Sequence, residues 1–123
     1  MKITKLDHVN ILTHNLAKMV RWYDDVLGLK SGHRPNFPNE GAWIYVGDDP
    51  VVHLSAVPHA CAATDPRIEH FAFAAIGLGQ LLAHLTSLDI AHSINVVSEK
   101  SMTQVNLADC DGNHIHIDFR NEA

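Results

Sequence analysis

The chain has 123 residues, of which 46% are hydrophobic and 19% are charged, and it carries 7 glycines and 5 prolines. This composition is typical of one globular domain and excludes a disordered chain or a collagen-like repeat. The 9 basic and 14 acidic side chains give a net charge of −5, without a run of Lys or Arg. Nucleic acid is therefore not an expected partner.

The sequence also bears on cellular location. No segment approaches the roughly 20 apolar residues that a membrane-spanning helix requires, and the charged start from Met1 to His8 does not resemble a signal peptide. Cys61 and Cys110 lie far apart without Cys-x-x-Cys spacing, which suits reduced thiols. We expect a cytoplasmic protein with no membrane partner.

The first half of the chain begins with a strand over residues 8–12. A helix follows, because apolar residues recur at helical spacing between Leu16 and Leu27. Asn15 is its expected N-cap, and Gly28 is its expected end. Segments rich in β-branched and aromatic residues then predict two strands, over 42–46 and 51–57.

The second half repeats the first after a linker over residues 58–66. Glu69-His70-Phe71 matches Asp7-His8-Val9 at an offset of 62 (70 minus 8), and Ile115-His116-Ile117 matches Val52-His53-Leu54 at 63 (116 minus 53). Leucines at helical spacing predict a second helix over 78–88. Four more strands are expected, over 70–74, 94–97, 105–108 and 114–119.

These elements predict an α+β fold. Two tandem βαβββ modules, about 3–57 and about 67–119, are expected to form a curved mixed sheet with the helices on its convex face, all within a single domain of residues 1–123. The opposite face of the sheet is then free for a site.

Four of the 10 histidines occupy repeat-equivalent strand positions, and strand alternation places all four on the helix-free face. They are His8, His53, His70 and His116. Imidazoles from four strands can converge on one divalent cation, since first-row metals accept imidazole nitrogen. A single strand histidine is more often structural, and that interpretation is kept for His14, His33, His59, His84 and His92. His114 is interpreted as a neighbour of the site, and Asp118 as a hydrogen-bond partner.

Aromatic and small polar side chains share this face, a mixture typical of a small-molecule site. The candidate substrate-binding residues are Asn10, Arg34, Phe37, Trp43, Tyr45, Ser55, Gln104 and Asn106. The three aromatic residues favour a flat substrate. Arg34 is either a carboxylate anchor or a surface residue.

Four motifs carry a resemblance to a known family: Leu6-Asp7-His8-Val9, Trp22-Tyr23-Asp24-Asp25-Val26-Leu27-Gly28-Leu29, Ile68-Glu69-His70-Phe71-Ala72 and Asp109-Cys110-Asp111-Gly112-Asn113-His114-Ile115-His116. The sequence resembles the vicinal oxygen chelate superfamily, which includes glyoxalase I, extradiol ring-cleavage dioxygenases and bleomycin resistance proteins. The resemblance covers nearly the whole chain and implies the glyoxalase/dioxygenase-like fold.

The resemblance implies that His8 and His70 are the opening-strand ligands of a divalent first-row metal ion (Fe, Zn, Ni, Co or Mn). It places His53 and His116 at the fourth-strand ligand positions, where glyoxalase-like members usually carry Glu. It also implies a homodimer and a small substrate that chelates the ion through two adjacent oxygens, with lyase, isomerase or dioxygenase chemistry. Ring-cleaving members carry Tyr at the position of Asn106.

An all-histidine ligand set leaves the general base open. Either His53 or His116 is the catalytic candidate, since a free imidazole titrates near neutral pH, and metal-activated water is the competitor. The alternative function is a metal-free binding or sequestering protein of the bleomycin-resistance type.

Overall fold

The computed structural model describes residues 1–60 and 68–122. Cys61 and most of the predicted linker over 58–66 lie outside the described residues. The chain divides into two compact units, Met1–Ala62 (unit 1) and Ala63–Ala123 (unit 2). The single domain remains a prediction.

Unit 1 contains one helix and a four-stranded mixed sheet. Its elements are β1 (Val9–Thr13), α1 (Leu16–Leu27), β2 (Ser31–Gly32), β3 (Gly41–Val46) and β4 (Asp49–Ala56). The strand order is β1-β4-β3-β2. β1 runs parallel to β4, and the other neighbours are antiparallel.

Unit 2 repeats this topology. Its elements are β5 (Phe71–Ala75), α2 (Leu78–Ser87), β6 (Ser93–Val97), a 3-10 turn (Ser98–Lys100), β7 (Met102–Ala108) and β8 (His114–Arg120). The strand order is β5-β8-β7-β6, again with one parallel pair, β5 with β8. The predicted α+β fold of tandem βαβββ modules is confirmed, although the two-residue β2 was not among the expected strands.

Helix α1 shows why the apolar spacing predicted a helix at this position. Met19, Tyr23 and Val26 are buried, and the helix packs against β3 and β4. Gly28 ends it in the left-handed conformation at φ 69°, where its amide donates to the Asp24 carbonyl. Glycine adopts this conformation without the Cβ clash that other residues meet.

Both sheets bury one face, and the alternation is clearest around the histidines. Val52 and Leu54 are buried on either side of half-buried His53, and Ile115 and Ile117 flank His116 in the same way. Side chains on successive strand positions point to opposite faces. The histidines therefore lie on the face of each sheet opposite the buried apolar residues.

Among the described residues, no helix is long and apolar enough to cross a membrane.

Candidate metal centre

In unit 1, a pair of stacked imidazoles occupies the exposed sheet face. His8 directly precedes β1, and its ring lies 3.9 Å from that of His53 in β4, with 10° between the planes. Trp43 pairs with His53 in the strand register and stacks on it at 4.1 Å. His53 is therefore held between an imidazole and an indole.

The hydrogen bonds of this pair fix which nitrogen carries the proton. His8 donates from Nδ1 to Asp7 Oδ2 over 2.8 Å, so the lone pair of the neutral ring is on Nε2. His53 donates from Nε2 to the Pro50 carbonyl over 3.0 Å, which leaves its lone pair on Nδ1. Each ring thus keeps one nitrogen able to bind a cation.

Burial and hydrogen bonding shift two pKa values at this pair, those of His53 and Asp7. Burial lowers the pKa of His53, and the nearby charge of His8 lowers it further. The hydrogen bond from His8 lowers the pKa of Asp7. A neutral His53 beside an ionised Asp7 is the state suited to holding a cation.

Unit 2 carries the same stacked pair and a third imidazole. His70 and His116 lie 3.9 Å apart with 11° between the planes. The ring of His114 is 5.4 Å from that of His70 and 4.8 Å from that of His116. One ring nitrogen from each of the three lies within 4.8 Å of the others. Sequence reasoning placed His114 only beside the site, although its position two residues before His116 already indicated the same face.

Glu69 connects two of these rings. Its carboxylate accepts hydrogen bonds from Nδ1 of His70 and from Nδ1 of His114, the latter over 2.7 Å. These bonds lower the pKa of Glu69. Burial, followed by the charge of His70, lowers the pKa of His116. The Asp7–His8 arrangement of unit 1 is therefore repeated, with one carboxylate serving two imidazoles.

Polar side chains of unit 2 extend this cluster. Gln104 donates from Nε2 to Asp118 Oδ1 over 3.2 Å, and the same nitrogen lies 3.3 Å from Nδ1 of His116. Asn106 Oδ1 lies 3.2 Å from Nε2 of His114. Gln104 and Asn106 thus contact the histidines directly, and Asp118 orients Gln104.

In unit 1, the candidate substrate-binding residues separate into groups. The Arg34 guanidinium lies 5.0 Å from the Phe37 ring centre, which is 6.1 Å from that of Trp43, next to His53. Ser55 donates to Asn10 Oδ1 over 3.0 Å. Tyr45 instead lies against Gly32 of β2: the β3–β4 register shifts between Ile44 and Tyr45, and the Tyr45 hydroxyl donates to the His33 carbonyl.

The donor set of each unit suits a metal ion of intermediate softness. Imidazole is a ligand that Zn, Ni, Co, Cu and Fe all accept. Metal-binding histidines in proteins commonly donate their second nitrogen to a carboxylate or carbonyl, as His8, His53 and His70 do here. These side chains fit such an ion.

Comparison with known proteins identifies the family. Residues 5–117 match the family model of the Glyoxalase/Bleomycin resistance protein/Dioxygenase superfamily, and the chain belongs to this superfamily. None of the curated proteins is similar enough in sequence to count as a match.

Solved structures share the fold over nearly the full chain. A glyoxalase/dioxygenase from Nostoc punctiforme is similar with a TM-score of 0.78 at 19% identity, covering 96% of this chain and 92% of that one. A glyoxylase/bleomycin resistance protein/dioxygenase domain from Frankia sp. EAN1pec gives 0.79 at 16%, covering 97% and 99%. Lactoylglutathione lyase from Agrobacterium tumefaciens gives 0.73 at 16%, covering 96% and 95%. Identities this low establish similarity of fold alone.

Proposed function

We propose that the protein is a metal-dependent enzyme that acts on a small substrate with two adjacent oxygen atoms. In this proposal His8, His53, His70 and His116 hold one divalent first-row ion: Fe, Zn, Ni, Co or Mn. The observation that carries the proposal is the repeated pair of imidazoles, stacked at 3.9 Å in each unit. In both pairs a carboxylate holds Nδ1 of the opening-strand ring.

The bound ion would stabilise negative charge that develops on a substrate oxygen during lyase, isomerase or dioxygenase chemistry. The protein's own residues position the ligands and move the proton. Asp7 and Glu69 orient His8 and His70. His53 or His116 would serve as the general base after leaving the ion when substrate binds, and a proton accepted by His53 then goes to Nδ1, because Nε2 already donates to Pro50.

The surroundings of His53 favour a flat substrate that carries a carboxylate. Trp43 and Phe37 offer aromatic surface, and the side chain of Phe37 is 46% exposed. Arg34 donates to the backbone carbonyl of Asn39 over 3.1 Å, which holds its guanidinium beside the Phe37 ring. A planar guanidinium pairs well with a carboxylate. Asn10, Ser55, Gln104 and Asn106 supply polar contacts to the substrate, and Tyr45 supplies a further aromatic contact.

In the same proposal the protein works in the cytoplasm as a homodimer, with neither nucleic acid nor membrane as a partner. The resemblance to superfamily members of this length supports the dimer, and the net charge of −5 disfavours nucleic acid. The second candidate function is a metal-free binding protein of the bleomycin-resistance type. The Arg34, Phe37 and Trp43 cluster favours it, because this cluster can bind a flat anion without a metal.

Elemental analysis of protein purified without a chelator tests the choice between the metal-dependent enzyme and the metal-free binding protein. We expect a near-stoichiometric first-row metal that is lost when His8, His53, His70 and His116 are all replaced by Ala. A His84→Gln variant, altered at an exposed position of α2, controls for surface histidines. Absence of metal, with none taken up on addition, would contradict the proposal and favour the binding protein.

If metal is found, its identity selects the assays. Iron directs them to oxygen uptake with catechols, and nickel or zinc to glyoxalase and isomerase substrates. Single His→Gln variants at 53 and 116 then separate ligand from base, because loss of the base lowers turnover while the metal content is kept. Unchanged turnover in a metal-containing variant excludes that histidine as the base.

A further inference from the structure

We infer that unit 2 contains a cation site of its own, formed by His70, His114 and His116, and that the first equivalent of a divalent metal such as Zn²⁺ or Co²⁺ binds there. The inference rests on the proposed function for His70 and His116. It adds His114 as a third ligand and Glu69 as a positioning residue. It also makes unit 2 the main contributor to the first binding event, with a smaller contribution from His8 and His53.

The rings of His70, His114 and His116 already lie close together. One nitrogen from each lies within 4.8 Å of the others, whereas ligands about 2.0–2.1 Å from a tetrahedral zinc ion are separated by roughly 3.4 Å. The side chains of His70 and His114 are 40% and 35% exposed, so their rings have room to rotate toward a shared ion. Within the described ranges, 1–60 and 68–122, this is the one group of three or more potential ligands.

Glu69 prepares two of the rings for binding. A carboxylate accepts hydrogen bonds, so the neutral rings of His70 and His114 both keep their protons on Nδ1 and have their lone pairs on Nε2. Asn106 lies against Nε2 of His114 at 3.2 Å. The atom placed there is Oδ1, an acceptor that cannot pair with a lone pair on Nε2, so the Asn106 amide must turn aside for the neutral ring to bind a cation through this nitrogen.

Unit 1 lacks the equivalent third ligand. The offset that aligns His116 with His53 aligns His114 with Val51 (114 minus 63). The register partner of His116 is Asn106, whereas that of His53 is Trp43, whose indole covers one face of the imidazole. Two nitrogen donors beside an indole bind a divalent ion more weakly than three donors. The difference between the repeats therefore predicts an order of metal binding.

The test is a titration of the full-length metal-free protein with Zn²⁺ by calorimetry and with Co²⁺ by visible absorption. Four proteins are compared with the wild type: His114→Gln, the double variant His8→Gln/His53→Gln, Glu69→Gln and the control His84→Gln. We expect His114→Gln to weaken the first equivalent about tenfold or more. The double variant should lose clearly less affinity than His114→Gln, and the control should stay within about threefold of the wild type.

Glu69→Gln requires a measurement that reports positioning. We expect the ¹⁵N resonances of His70 and His114 in the metal-free protein to show protons on Nδ1. In Glu69→Gln that preference should weaken together with the affinity, while the far-UV circular dichroism stays that of the wild type. Unchanged tautomers in this variant would exclude Glu69 as a positioning residue.

The inference and the proposed function fail in different ways. Wild-type affinity in His114→Gln overturns the inference, and so does an equal loss in His114→Gln and in the double variant, because unit 2 is then not the main contributor to binding. In both cases the four-histidine site of the proposed function still stands. Only a wild-type protein that binds neither ion contradicts both.

Discussion

The titration of stacked imidazoles is governed by burial and by repulsion between like charges. His53 and His116 are half-buried, each 3.9 Å from another imidazole, and both causes lower their pKa values below the ordinary 6.5. The native state therefore holds both rings neutral at a pH where the same rings in the unfolded chain begin to take up protons. Stability gained from these groups is present above about pH 6.5 and is lost as the pH falls toward their native pKa values.

The metal-free protein should accordingly have a lower free energy of unfolding in urea at about pH 5.5 than at about pH 7.5. His53→Gln should reduce this difference, since glutamine does not titrate, and His84→Gln should not. The acidic neighbours do not obscure the window, because Asp7 and Glu69 have pKa values lowered from 3.8 and 4.5. An identical pH dependence in His53→Gln and the wild type would contradict this explanation.

The residues of the site also show which parts of it sequence patterns can predict. Strand alternation alone puts His53 and His116 opposite the core, because a period of two is a local property of the chain. The same rule places His114 on that face. The hydrogen bond that His114 donates to Glu69 joins residues 45 apart, so no pattern of neighbouring residues predicts it. The register between β3 and β4 shifts by the time the chain reaches Tyr45, and no feature of the sequence marks this shift.

Helix α2 is capped at its N-terminus by a residue that is distant in the sequence. Its N-cap is Gly77, in the left-handed conformation at φ 91°, which has no side chain to accept a hydrogen bond. Glu122 does so instead: its carboxylate accepts from the amide of Gly77 over 3.1 Å and from that of Leu78 over 2.8 Å. The Glu122 backbone carbonyl also accepts from Thr103 Oγ1 over 2.7 Å. The segment after β8 therefore caps a helix that starts 44 residues earlier.

Glu122→Gln should destabilise unit 2 through this cap. A carboxylate on the amides at a helix N-terminus contributes about 0.5–2 kcal/mol through hydrogen bonding and the helix dipole. We expect the free energy of unfolding to fall within that range, and Glu122→Ala to lose more than Glu122→Gln. Glu99→Gln, which removes a charge from the exposed 3-10 turn of the same unit, should have little effect. Equal losses at positions 99 and 122 would indicate a change of net charge rather than loss of a cap.

The elements differ in how much the sequence reveals of them. The apolar spacing predicts α1 and its end at Gly28, because both depend on neighbouring residues. The start of α2 is obscure in the sequence, since its cap comes from Glu122, far along the chain. The two-residue β2 exists only through its pairing with β3, and propensity does not detect it.

At the scale of the whole chain, duplication is the most informative feature of the sequence. It predicts two βαβββ units with the same strand order, and both units show it. Duplication does not predict where the repeats have diverged. Unit 1 has an indole and a guanidinium near its stacked pair and Val51 at the position equivalent to His114, and unit 2 has a third imidazole and amides. One repeat is thus better suited to a flat anion, and the other to a cation.

Metal binding should stabilise the folded protein as a whole by mass action. A ligand that binds only the native state at 100 times its Kd adds about 2.7 kcal/mol, and each further tenfold in concentration adds about 1.4 kcal/mol. For a chain of this length that gain raises Tm by roughly 10 °C. We expect this increase when the chelated protein is titrated with the metal found in it, as followed by differential scanning calorimetry.

The variant with Ala at positions 8, 53, 70 and 116 separates specific from nonspecific stabilisation. It should show no increase in Tm with metal, because weak binding to the remaining histidines also occurs in the unfolded chain and cancels. An aromatic carboxylate added without metal supplies the converse test. If it raises Tm in both proteins while metal raises neither, then the cluster of Arg34, Phe37 and Trp43 binds the ligand and the four histidines do not form a metal site.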